Sequence, residues 1–70
     1  MSTPINILIN GLSRDVGPGT TIADLLAELD LAGRPVAVEV NLELVPKARH
    51  AAYQLREHDC LEVVTLVGGG

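Results

Sequence analysis

Only one stretch of this 70-residue chain carries a helical period. Ile22, Leu25, Leu26 and Leu29 recur on one helical face, whereas the other apolar runs alternate at a period of two, as strands do. One short amphipathic helix can cover one face of one sheet, so the chain is expected to form a single two-layer domain over residues 1–70. The composition fits this arrangement. Apolar residues make up 47% of the sequence and Tyr53 is the only aromatic, so the core must be built from Ile, Leu and Val. A domain this small buries a modest share of its surface and has little room for a private active site.

In chain order, Ile5, Ile7 and Ile9 alternate onto one face of a first strand. Asn10-Gly11 follows, the strongest short hairpin signal, because a two-residue turn of the right twist needs positive φ at both positions. The return strand runs from about Leu12 to Val16, and Gly17-Pro18-Gly19 then redirects the chain. Thr21 can cap the helix with its hydroxyl, and Asp24 lies near the positive end of the helix dipole, although Asp is shorter than the usual Glu of a capping box. Gly33 suits a left-handed exit from the helix, and Pro35 cannot continue it. Val36, Val38 and Val40 form a third strand that faces the helix, and Asn41-Leu42-Glu43 turns into the short segment Leu44-Val45, which Pro46 ends. Lys47 to Arg56 reads as an irregular loop with a helical turn, from which Ala51, Tyr53 or Leu55 plugs the bottom of the core. In the last strand Leu61 and Val63 take the inner face, and Glu62, Val64 and Leu66 the outer.

These elements have a compact α+β solution: the β-grasp or ubiquitin-like arrangement, a mixed sheet of four to five strands with one helix packed on one face. The first and last strands lie parallel in its middle. The sequence then runs from the last strand into Gly68-Gly69-Gly70. Such a stretch reads by itself as ordinary fraying, but on a central strand it becomes an arm that a partner's narrow channel can enclose, since glycine has no Cβ. The helix leaves the outer sheet face free, so Leu8, Val64 and Leu66 are candidates for a partner-docking patch.

The formal charge of −4 argues against a nucleic-acid surface and favours a partner with a basic docking face. Cys60 is the only cysteine, which excludes an internal disulfide or a cysteine-based metal cluster. The start lacks a signal-peptide pattern and no segment is long enough to span a membrane, so the expected location is cytoplasmic.

Across nearly its whole length the chain resembles the ThiS family, small ubiquitin-like sulfur carriers of thiamine biosynthesis. The resemblance rests on Ile7-Leu8-Ile9-Asn10-Gly11, Thr21-Ile22-Ala23-Asp24-Leu25-Leu26, Val36-Ala37-Val38-Glu39-Val40-Asn41, Val45-Pro46 with Arg49, the run from Asp59 to Val64, and the closing glycines. It implies that a ubiquitin-activating-like (ThiF- or MoeB-like) enzyme uses ATP to adenylate the Gly70 carboxylate. A sulfur donor then converts it to a thiocarboxylate, and a ThiG-like thiazole synthase accepts the sulfur. On this reading the protein is a cosubstrate rather than an enzyme, binds no cofactor or metal of its own, and is a monomer when free. Gly70 is the reacting residue, and Gly68 and Gly69 thread it into the partner.

Leu42 stands where glycine is common in the family. Leucine disfavours positive φ, so this turn is expected to be of another type. Cys60 reads as passive filling at the start of a strand, and His50 and His58 as solvated histidines, since neither has clustered metal-ligand partners. Lys47 and Arg49 are read as solvated loop charges. Two alternatives stand beside the main reading: a carrier for molybdopterin or for cysteine or methionine synthesis, and a β-grasp binding module with a chemically inert terminus. The molybdopterin carriers tend to be longer, with aromatic and proline residues before the tail, which Val64-Thr65-Leu66-Val67 lacks.

Overall fold

The computed structural model describes residues 3–66. Among them are five strands, β1 (Ile5–Ile9), β2 (Leu12–Val16), β3 (Val36–Val40), β4 (Glu43–Val45) and β5 (Cys60–Thr65), and one α-helix, α1 (Ile22–Glu28). The sheet order is β2-β1-β5-β3-β4. β1 and β5 are parallel neighbours in the middle, and the hairpins β1–β2 and β3–β4 complete the two halves as antiparallel pairs. This is the expected β-grasp arrangement with all five strands present.

Strand alternation sorts the side chains as the period of two requires. Ile7, Val38, Val40, Leu61 and Val63 are buried beneath Ile22, Leu25 and Leu26 of the helix, and Val16, Val45 and Leu55 close the periphery of this core. Of the three residues expected to plug the bottom of the core, Leu55 is buried and Tyr53 half-buried, but Ala51 is exposed. The helical turn in that loop is a 3-10 turn at Lys47–Arg49.

The helix begins on a closed capping box. Thr21 Oγ1 accepts from the Asp24 N–H at 3.1 Å, and Asp24 Oδ2 accepts from the Thr21 N–H at 3.0 Å, so aspartate is long enough here. Its end differs from expectation. The left-handed exit residue is Asp30 (φ 61°), three positions before Gly33. The Asp30 N–H donates to Ala27 O and the Leu31 N–H to Leu26 O, the paired bonds of a Schellman motif. Aspartate tolerates this conformation better than most residues, and seating Leu31 against the core closes the motif. Gly33 (φ 79°) serves the next turn, where the Arg34 N–H donates to Leu31 O.

Leu42 also contradicts the sequence reading. Val40 pairs with Glu43, which leaves a two-residue connection, and both of its residues have positive φ: Asn41 at 52° and Leu42 at 70°. It is therefore the same kind of turn as Asn10 (φ 50°) and Gly11 (φ 83°) between β1 and β2. The loop length dictates the conformation, and leucine accepts the strain. Its side chain gains no packing in return, being 89% exposed. Left-handed backbone costs a non-glycine residue about 1–2 kcal/mol, and glycine's greater loss of chain entropy offsets part of that. Leu42→Gly is accordingly expected to stabilise the domain by about 0.5–1 kcal/mol. Urea unfolding should show a higher midpoint at unchanged slope; a lower midpoint would contradict the strain argument.

Candidate functional site

Gly68, Gly69 and Gly70, the proposed arm, lie outside the described residues, as does Val67. What the structure describes is the strand that precedes them. On one flank β5 is bonded to β3 over its full length, from Leu61 opposite Val40 to Thr65 opposite Val36, and the Leu66 N–H continues the ladder to Pro35 O at 2.8 Å. On the other flank β1 serves only the first half. The Leu8 N–H donates to Asp59 O and the Asn10 N–H to Leu61 O, both at 2.9 Å, and the chain then turns away into the hairpin.

The Asn10 side chain takes over at that point. Its Oδ1 accepts from the Val63 N–H at 2.9 Å, and its Nδ2 donates to Val63 O at 3.1 Å. A primary amide carries the same donor and acceptor as a peptide group, so Asn10 extends the parallel ladder beyond the end of β1. Asn41 acts similarly at the start of β5. Its Oδ1 accepts from the Cys60 N–H at 3.0 Å, and its Nδ2 donates at 3.0 Å to Oδ1 of the buried Asp59, whose Oδ2 accepts from the Arg56 N–H at 2.8 Å. Each hairpin thus places its first turn asparagine against the central strand. The sequence reading gave Asn10 a turn role alone and saw Asn41 only as part of a turn. The available signal was the choice of asparagine at both positions, but its bonding partners are remote in sequence.

Leu8, Val64 and Leu66 all lie on the sheet face that the helix leaves uncovered, with exposures of 38%, 53% and 52%. They do not form one patch. Leu8 is level with Cys60, four residues and about 13 Å along β5 from Val64. Glu62 stands between them, opposite Glu39 of β3, while Ala37 lies beside Val64.

Two readings of single residues are corrected. His50 is not solvated: it is 5% exposed, and its Nε2 lies 2.9 Å from Val45 O, which can only accept, so this nitrogen carries the proton. The Ala23 N–H donates to His50 O, so this residue ties the loop to both β4 and α1. Cys60 is not filling; it is exposed on the outer face. His58, Lys47 and Arg49 are exposed, as expected. Arg49 and Arg56 line a polar cleft of about 610 Å³ with Asn41 and Asp59, near the start of β5 and away from its Thr65 end. Among the described residues no group of three metal-ligating side chains comes together, and no helix is long and apolar enough to cross a membrane.

With β5 in the centre of its sheet and one sheet face open, the domain is of the ubiquitin-like β-grasp class. The ThiS family profile matches residues 7–70, and the chain belongs to the ThiS family. It is 44% identical over 50 residues to the sulfur carrier protein ThiS of Bacillus subtilis, covering 71% of this chain and 76% of that one. A thiazole synthase of Paramagnetospirillum magneticum is 42% identical over 66 residues, which are 94% of this chain; the chain spans only 20% of that protein's length. The crystal structure of the thiamine biosynthesis protein ThiS from Geobacter metallireducens superposes with a TM-score of 0.76 at 28% identity, covering 94% of this chain and 100% of that one.

The Asn10 clamp can be tested separately from the turn. Asn10→Gly keeps a residue that accepts positive φ and removes both bonds to Val63, at an expected cost of about 1–2 kcal/mol. Hydrogen exchange should show the Val63 amide losing protection first; an unchanged Val63 amide would rule out the clamp.

Proposed function

We propose that the Gly70 carboxylate is the sulfur-bearing group. In this reading a carboxylate oxygen attacks the α-phosphorus of ATP in a ubiquitin-activating-like enzyme, and pyrophosphate leaves. The acyl-adenylate is the activated electrophile. A persulfide sulfur attacks its carbonyl carbon, AMP leaves, and reduction of the resulting acyl disulfide by a thiol releases the thiocarboxylate. A free α-carboxyl ionises near pH 3.3–3.7, so at neutral pH the nucleophile is already an anion and needs no base from this chain. ATP and the sulfur donor belong to the partner's reaction.

The observation that carries this reading is the position of β5: the strand that runs in sequence toward Gly68-Gly69-Gly70 is bonded on both flanks as far as Val63 and on one flank as far as Leu66. The arm therefore has a firm base, and a partner that grips the sheet knows where the arm begins. Family membership supports sulfur as the cargo. The likeness to thiazole synthases favours a ThiG-like acceptor over the synthases of other sulfur-containing products, because in those relatives a ThiS-like stretch belongs to the synthase chain itself. The outer sheet face docks the enzymes that use the arm.

Incubation with an active adenylating enzyme, ATP and a sulfur donor should raise the intact mass by one oxygen-to-sulfur exchange. No mass change with an enzyme that modifies its own carrier would refute the assignment. Deleting Gly70 should leave the unfolding midpoint unchanged and abolish the exchange; continued modification of the shortened chain would remove Gly70 as the site.

A further inference from the structure

Of the three asparagines in the chain, Asn6 precedes Ile7 and Asn41 precedes Leu42, but Asn10 precedes Gly11. The side-chain carbonyl carbon of an asparagine can be attacked by the backbone nitrogen of the next residue, and the side chain on that residue limits the approach. Glycine has no Cβ, so its nitrogen is the least shielded. Gly11 is exposed, and its N–H donates to no backbone carbonyl among the described residues. The nucleophile is therefore free.

The electrophile is held. Val63 engages both polar atoms of the Asn10 amide, at 2.9 Å through Oδ1 and at 3.1 Å through Nδ2. Attack by Gly11 N makes Cγ tetrahedral and expels Nδ2, so neither the planar group nor the donor that Val63 holds survives it. Asn41 supplies an internal comparison. It occupies the same place in the same kind of turn and is held by two bonds of 3.0 Å, to Cys60 and Asp59, but leucine follows it.

We propose that Asn10 is the deamidation site of this chain, and that its clamp on Val63 suppresses the reaction while β5 is seated. Gly11 N bonds to Asn10 Cγ, and the Gly11 proton leaves with the side-chain nitrogen as ammonia. Water then opens the five-membered imide at one carbonyl or the other, giving aspartate or isoaspartate. Aspartate sets a carboxylate oxygen against Val63 O in place of the donor. Isoaspartate adds a backbone carbon to a turn that the β1–β2 register limits to two residues. Each product weakens the clamp that delayed it, so the modification marks chains whose central strand has come loose. None of this depends on what the terminal glycines carry.

Peptide mapping by mass spectrometry follows the amide-to-acid mass shift at each asparagine, in the folded chain and in guanidinium chloride, at one mildly alkaline pH and one temperature. In the unfolded chain Asn10 should react well ahead of Asn6 and Asn41, and folding should slow it at least about tenfold. Equal Asn10 rates in the two states overturn the clamp, and an Asn41 that keeps pace in the unfolded chain overturns the site. The slowing at Asn10 should match the hydrogen-exchange protection of the Val63 amide within a few-fold, since both need the same opening. An Asn10 that reacts much faster than Val63 opens also overturns the clamp. Gly11→Leu copies the second turn into the first, where an added Cβ meets no atom within 4 Å. Unfolded, this variant should deamidate at Asn10 as slowly as at Asn41; an unchanged rate refutes the role of Gly11. Asn10→Asp, the product made directly, should unfold at lower denaturant with earlier exchange at Val63, and a wild-type midpoint would contradict the weakened clamp.

Discussion

The structure depends on how the backbone of β5 is satisfied. A strand in the middle of a sheet must find partners on both sides, since an unmet buried amide is costly, and here one neighbour is too short to provide them. β1 leaves after Ile9 because the Asn10-Gly11 turn takes it into β2. The amide of Asn10 fills the gap at Val63, and that of Asn41 secures the opposite end at Cys60. The two hairpins are thereby more than neighbours of the central strand. Their turn residues hold it, so the geometry of each turn and the position of β5 are set together.

Much of this fold could be read from local pattern. Alternation at Ile5, Ile7 and Ile9 and at Val36, Val38 and Val40 located strands, Asn10-Gly11 located a hairpin, and Thr21 with Asp24 located the start of the helix. Local pattern failed where a residue answers to something distant or to loop length. Leu42 takes positive φ because β3 and β4 pair closely enough to leave only two residues between them. Register overrides the residue's own preference. Asp30, not Gly33, ends the helix because Leu31 must return to the core. His50 sits in a polar stretch that resembles solvated loop, yet the 3-10 turn folds it under β4, where Val45 O accepts a hydrogen bond from its Nε2–H. Leu8, Val64 and Leu66 were placed on the correct face, but their separation by Glu62 depends on the parallel register, which no single segment encodes.

The proposed function divides the work between the sheet surface and the terminal glycines. The core residues are aliphatic and supply only packing. In the function proposed above, recognition falls to the open sheet face and chemistry to the Gly70 carboxylate. On that proposal the reacting carboxylate is already an anion at neutral pH and takes no base from this chain. The buried His50 and Asp59 fit this division: both are consumed by structural hydrogen bonds, His50 to Val45 and Asp59 to Asn41 and Arg56.

The parallel pairing of β1 with β5 also orders events during synthesis. The hairpins β1–β2 and β3–β4 are local and can form as they emerge, but they meet in the sheet only through β5, which follows both of them in the sequence. Closure of this kind joins distant parts of the chain and comes late. A ribosome-bound fragment that still lacks β5 therefore has two unjoined half-sheets, an unfinished floor beneath the helix where Leu61 and Val63 belong, and none of the outer-face positions at Glu62 and Val64.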